Sequence, residues 1–260
     1  MNVKVLRVFA GAAGVAMAAF WAGQASAQTS EVKEKPALYT YVANWNIPRA
    51  QWPEVEKESA ASQKLLDKAV ADGTLVGYGA DVTLVHQADG TTHDNWWSAM
   101  SLAGVLKVLD QFAKASGNSA SVLDSATNHF DTVYESRFYN WHPGSWKDGY
   151  TYSASYRLKP DAPSNAVDTL SKKLIVPLME KLFADGTLHE YEVDTQAIHT
   201  EAPGSFLIVY VAKNAEGLDK VNAALDEAIK ADPLGGVAFE SMVDLAAHHD
   251  DLSLTSASYK

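Results

Sequence analysis

Ala71-Asp72-Gly73-Thr74-Leu75 recurs 113 residues later as Ala184-Asp185-Gly186-Thr187-Leu188. The same offset pairs Tyr78 with Tyr191, Asp81 with Asp194 and His86 with His199, and continues through Ala99/Ala212, Gly104/Gly217 and Val108/Val221. Upstream, an offset of 111 aligns Tyr39-Thr40-Tyr41-Val42-Ala43 with Tyr150-Thr151-Tyr152-Ser153-Ala154. His129-Phe130-Asp131 aligns with His249-Asp250-Asp251, and Tyr139 with Tyr259, at an offset of 120. Agreement in register over a hundred residues marks two copies of one unit. The fold must therefore be one that the unit can build twice.

Each copy has the same order of elements. Leu38 to Trp45 is rich in aromatic and β-branched residues and alternates, which predicts a strand. A helix follows from Pro53, where its first turn tolerates proline, to about Asp72, and Gly73 supplies its C-terminal cap. Strands are expected from Leu75 to His86 and from Asn95 to Met100, joined through Asp89-Gly90, a hairpin signal. Ser101 caps a second helix with the stripe Leu102, Val105, Leu106, Leu109 and Phe112, and Thr132–Tyr139 is the fourth strand. The second copy repeats this with strands at Tyr150–Tyr156, Leu188–His199, Phe206–Val211 and Leu252–Tyr259. Its helices are Ala166–Ala184 and one capped by Asn214. Pro177 should break the first of these near Lys173.

The order β-α-β-β-α-β is the split βαβ unit, whose helices cover one sheet face and leave the other to be buried elsewhere. Two copies in one chain resemble the dimeric α+β barrel superfamily, in the form where tandem ferredoxin-like units are fused. The fold class expected is α+β, with two ferredoxin-like repeats whose antiparallel sheets pack face to face as an intramolecular barrel. The boundaries are 37–140 and 150–260, with linkers at 28–36 and 141–149. The resemblance implies several functions, since the superfamily includes cofactor-free monooxygenases, polyketide cyclases and haem enzymes such as chlorite dismutases and dye-decolourising peroxidases. Fold alone does not choose among them.

Residues 1–27 read as a secretory signal peptide: Lys4 and Arg7, an apolar run from Val8 to Ala22, and Ala25-Ser26-Ala27 before the cleavage point. The run is shorter than a bilayer span, so the mature chain is expected to be exported, periplasmic or secreted. Cleavage would leave 19 basic against 32 acidic residues. Nucleic acid is thereby excluded as a partner, because phosphate neutralisation needs a basic stripe. The absence of cysteine excludes disulfides, thiolate metal sites, a Cys nucleophile and a lipoprotein anchor. No Gly-x-Ser-x-Gly elbow or phosphate loop is present.

Tyr39, Tyr41 and Trp45 share one strand parity, as do Tyr150, Tyr152 and Tyr156. They either wall an aromatic cavity between the sheets or fill the core. The first alternative makes the partner a small apolar or aromatic molecule. The candidate ligand-binding residues are then Tyr41, Trp45, Tyr78, His86, Trp97, Tyr152, Tyr156, Tyr191 and His199. A His/Tyr pair from different strands would serve a cofactor-independent cyclase, isomerase or monooxygenase. His86 cannot reach Tyr78 in its own strand, because eight residues span about 26 Å. Strand-end histidines also serve simply to bond turns. Of Trp96 and Trp97, one must face the helices and the other the barrel. No cofactor is expected from the residues themselves. Haem is what the resemblance allows, with His189 and His199 the histidines to test. No metal site is expected at His248-His249-Asp250-Asp251, since adjacent strand residues point to opposite faces. Monomer and homo-oligomer are both compatible with the sequence, as is a purely structural role.

Overall fold

The computed structural model describes residues 32–87, 90–115, 121–200 and 203–260. The signal segment and Asp89 of the hairpin signal lie outside them. The first half runs β1 (Leu38–Asn46), α1 (Trp52–Ala71), β2 (Gly77–Thr83), β3 (His93–Ala99), α2 (Leu102–Ala115) and β4 (Asn128–Trp141). The second runs β5 (Gly144–Arg157), α3 (Ala166–Leu170), α4 (Val176–Ala184), β6 (Leu188–Gln196), β7 (Ser205–Ala212), α5 (Ala215–Ala231), α6 (Pro233–Met242) and β8 (His249–Tyr259).

All eight strands form one closed antiparallel barrel in the order β1-β3-β2-β8-β5-β7-β6-β4. The halves contribute four contiguous strands each, β4-β1-β3-β2 and β8-β5-β7-β6. Two seams join them, β2 on β8 and β4 on β6. The expected face-to-face pair of sheets is thus also hydrogen-bonded along both edges, which removes every exposed strand edge. The stretch 141–149, expected as a linker, is mostly the beginning of β5, because β8 continues to pair with it from Gly144.

Local signals act where the chemistry requires them. Gly73 and Gly186 sit at φ of 78° and 77° after α1 and α4, a conformation that glycine adopts without steric cost. Ser101 Oγ and Asn214 Oδ1 accept the amides of Gly104 and Gly217, capping α2 and α5. A π-helical turn, Ser171–Ile175, separates α3 from α4 directly ahead of Pro177, so the helix breaks where the proline removes a donor. The expected strand ends differ: β2 stops at Thr83 and β6 at Gln196, leaving His86 and His199 beyond them.

Each half has its own helix-covered core. Tyr41, Ala43, Tyr78, Trp97 and Val133 meet Leu66, Ala69, Val105 and Val108 in the first. Ala154, Tyr191, Val193, Phe206, Ile208 and Tyr210 meet Leu170, Val176, Met179, Leu182 and Val221 in the second. The aromatic parity of the first strands therefore faces outward, onto the helices. This corrects the expectation of an aromatic cavity between the sheets. Helices α1, α2, α4 and α5 present apolar stripes, and only the aromatic strand faces match them. The opposite parity closes around the barrel interior.

Candidate functional site

The inward positions are mostly polar. Thr40, Val42 and Asn44 of β1 stand beside Ser98, Trp96 and Asp94 of β3, and Gly79 and Asp81 of β2 follow at the same levels. Across the seam, Asp81 pairs with Thr255, and β5 brings Thr151, Ser153 and Ser155 inward. On β6 the alternation His189-Glu190-Tyr191-Glu192-Val193-Asp194 sends Tyr191 and Val193 to the helices and all three acids to the lumen. These walls enclose a cavity of about 220 Å³.

The strand register shifts at Arg137 in β4, between Trp146 and Gly149 in β5, and at His189 in β6. One end of the lumen is filled by Trp96, Ala257 and Tyr259, packed with Trp141 and Trp146. Their rings stack, Trp141 on Tyr259 at 5.3 Å and Trp146 on Tyr259 at 5.7 Å between centroids. Gly77 and Gly79 permit this. A Cβ on either would lie 2.3 Å from the ring of Tyr259 or Trp96, respectively. At the other end Phe130 and His249 are exposed and form the rim, together with Tyr156 and Arg157.

Asp81, Glu190, Glu192 and Asp194 are each no more than 5% exposed. Asp81 accepts from Trp96 Nε1 at 3.0 Å and from Thr255 and Thr151. Ser136 Oγ donates to Asp194 and lies 3.2 Å from Glu192 Oε2. Among the described residues, no donor reaches Glu190 Oε2, Glu192 Oε1 or Asp94 Oδ1. Burial pushes Asp81 up to about 6, against the pull of its three donors. Burial, and then the charges of Asp81 and Asp251, push Asp94 up to about 8. Glu192 is raised well above the ordinary carboxylate range by burial and by its neighbours Asp194 and Glu190. Burial raises those two neighbours as well. Among the described residues, the basic side chains of the lining are Arg157 and His249, both exposed at the rim.

Most of the residues expected at a ligand site lie elsewhere. Tyr41 stacks on Trp97 at 4.3 Å and donates to Asp131, and Trp97 Nε1 donates to the Val105 carbonyl. Trp45 stacks on His129 at 3.6 Å, and Tyr156 on His248 at 4.3 Å. Tyr78 donates to Asp67, and Tyr191 to Glu180, at positions matched by the 113-residue offset. Asp250 holds the Tyr152 hydroxyl. Burial and these carboxylates push the tyrosines upward, Tyr78 to about 12. Carboxylates rather than histidines therefore take the tyrosine hydroxyls, and the expected His/Tyr pair does not assemble. His86 is exposed beside Trp52, and His199 is exposed in a hollow with Leu158 and Val167. Of the nine, Tyr156 alone touches the cavity, at its mouth. Tyr191→Phe is expected to cost about 2 kcal/mol in urea unfolding, since it strips a charge-assisted bond from Glu180, and to leave the lumen unchanged.

Haem does not suit these residues. His189 lies flat on Trp146 at 4.4 Å, His199 is exposed, and neither lines the lumen. The helix-covered cores are packed by apolar side chains. The residues that sequence reasoning missed are the lumen carboxylates. Their available signal was Asp81/Asp194 recurring at the same strand phase.

No family model matches the chain, and no curated protein matches it. Solved structures do share its fold. A provisionally assigned monooxygenase from Fusobacterium nucleatum superposes with a TM-score of 0.61 at 11% identity, covering 87% of this chain and 95% of that one. A provisionally assigned monooxygenase from Lactobacillus acidophilus gives 0.57 at 10% identity, covering 86% and 96%. An anthrone oxidase-like protein gives 0.56 at 13% identity, covering 88% and 97%. The chain has the fold of the dimeric α+β barrels, formed within one polypeptide. Its barrel holds a lumen lined in part by carboxyl groups.

Proposed function

We propose that this is an exported protein that binds a small polar molecule inside the barrel. The observation that carries the reading is a barrel cavity whose buried carboxyl oxygens on Glu190 and Glu192 meet no donor among the described residues. Buried polar groups are normally paired, and those left open at a functional site await a ligand. At about 220 Å³ the space lies below the roughly 300–1,000 Å³ of drug-sized sites, so the occupant is a small metabolite. Export rests on Lys4, Arg7 and the Ala25-Ser26-Ala27 pattern. No helix among the described residues is long and apolar enough to cross a membrane.

Val209 lines the lumen opposite Glu192. A library of polar metabolites should contain compounds that raise the melting temperature of the native protein. Val209→Trp, which fills the cavity, should abolish those shifts; shifts that persist in it would place binding elsewhere. Stabilisation by apolar aromatic compounds alone would end the reading.

A second reading is favoured by carboxyl groups that titrate near neutrality, Asp81 at about 6 and Asp94 at about 8. Such groups can give and take protons from a bound molecule. The chain would then be a cofactor-independent enzyme, which is compatible with the monooxygenase and anthrone oxidase-like names borne by proteins of this fold. Turnover that is lost in Asp81→Asn while the fold is retained would distinguish it from simple binding.

A further inference from the structure

We propose that the lumen ligand is a small organic monocation, an ammonium compound, which enters in exchange for a proton. The inference rests on the reading of the lumen as a ligand site and adds the ligand's class. Three features of the lining converge on it.

The first is uncompensated acidity. Glu190, Glu192 and Asp194 lie on three successive inward positions of β6, with Asp81 facing them from β2. The other titratable groups facing this space are Asp94 of β3, Tyr134 of β4, and Asp251 and Tyr259 of β8, with Tyr156, Arg157 and His249 at the rim. Among the described residues, then, no cation within the lumen answers the carboxylates, and a buried negative charge without a partner is costly.

The second is the supply of acceptors. Glu190 Oε2 and Glu192 Oε1 are buried and reached by no donor. An ammonium group brings the donors they lack. A neutral ligand could supply hydrogen bonds but not the charge.

The third is the aromatic floor. Trp96 lies over Gly79, and Trp96 and Tyr259 border the cavity beside Asp81 and Glu190. Aromatic rings next to carboxylates bind organic cations through the ring quadrupole, and tryptophan is the best of them. Inorganic cations gain less from such a floor, and no group of three ligating residues among those described is placed to hold a metal ion.

The exchange follows from charge balance. Before binding, the crowded carboxyl groups retain protons that burial and mutual repulsion favour. When one ammonium ion enters, the carboxylate form is stabilised and one proton leaves to solvent. The net charge of the lumen is unchanged. Apparent affinity must therefore rise with pH until the cluster is ionised.

The test pairs cations with neutral near-isosteres on the native chain: propylamine with propan-1-ol, and butylamine with butan-1-ol. Calorimetry at pH 7 should show each cation binding at least about tenfold more tightly than its neutral partner. Repeating it in two buffers of different ionisation enthalpy should show release of about one proton per cation bound. Glu192→Gln, which keeps the shape of the site, should lose most of the cation preference and the proton release. Equal binding of cation and isostere, blocked by Val209→Trp, would overturn the cation class and leave the lumen reading standing. Binding of neither member of any pair would also overturn it, and the metabolite screen against Val209→Trp then decides the lumen reading separately. Cation binding that Glu192→Gln and Val209→Trp leave intact would overturn both.

Discussion

Thermal unfolding at pH 8 is expected about 10 °C or more below that at pH 5, the reverse of a protein stabilised by ion pairs. The cause is the carboxyl cluster of the lumen. Burial raises the folded-state affinity for protons of Asp81, Glu190, Glu192 and Asp194, while the unfolded chain titrates them near ordinary values. Between about pH 4 and pH 8 the native state then holds more protons than the unfolded state, and stability must fall as pH rises. No penalty exists below the unfolded values. It develops as pH passes through the folded ones, about 6 for Asp81. Above pH 5 Asp81 alone loses roughly 1.4 kcal/mol before reaching its folded value, Glu190, Glu192 and Asp194 add to this loss, and each kcal/mol moves the melting point by about 2–4 °C in a chain of this size. Glu192→Gln should raise the melting temperature at pH 8 and flatten the profile, because the amide stays neutral at every pH. A flat wild-type profile between pH 5 and pH 8 would show that the lumen does not carry this charge.

Gly79→Ala is expected to lower stability by about 3 kcal/mol, and the melting temperature by roughly 5–10 °C, with a change in tryptophan fluorescence. The added Cβ would sit 2.3 Å from Trp96 Cζ2 and 2.5 Å from Cε2. Trp96 cannot swing aside freely: its Nε1 is bonded to Asp81, and its ring packs 5.5 Å from that of Tyr259. Either the strand moves or the indole breaks its bond to a buried carboxylate, and both are costly. Gly236→Ala, where no atom lies within 4 Å, is the control and should be close to neutral. Equal stability of the two variants would mean that the aromatic floor is not rigidly held.

Much of the architecture could be read in the chain itself. The cap residues Ser101 and Asn214, the glycines after the helices and the break ahead of Pro177 all correspond to features of the structure. Strand limits were less legible. His86 and His199 fall past their strands because the seam pairing of β2 with β8 ends at Thr83 and that of β4 with β6 at Gln196. Such pairing joins residues 49 or more positions apart and leaves no local trace. Helix α6, which has no counterpart among the described residues of the first half, was not expected at all.

The candidate site was harder to read, for a related reason. Alternation along β6 separates Tyr191 and Val193 from Glu190, Glu192 and Asp194, so the sequence by itself determined that each strand has an aromatic face and a polar face. In an open sheet the acids would face water and the aromatic residues would be buried, which requires no ligand. Only closure into a barrel, through two seams between distant strands, turned the polar face into an interior. The same residues that would have been an ordinary solvent surface thereby became a crowded set of buried acids. Closure alone gives them their raised proton affinity.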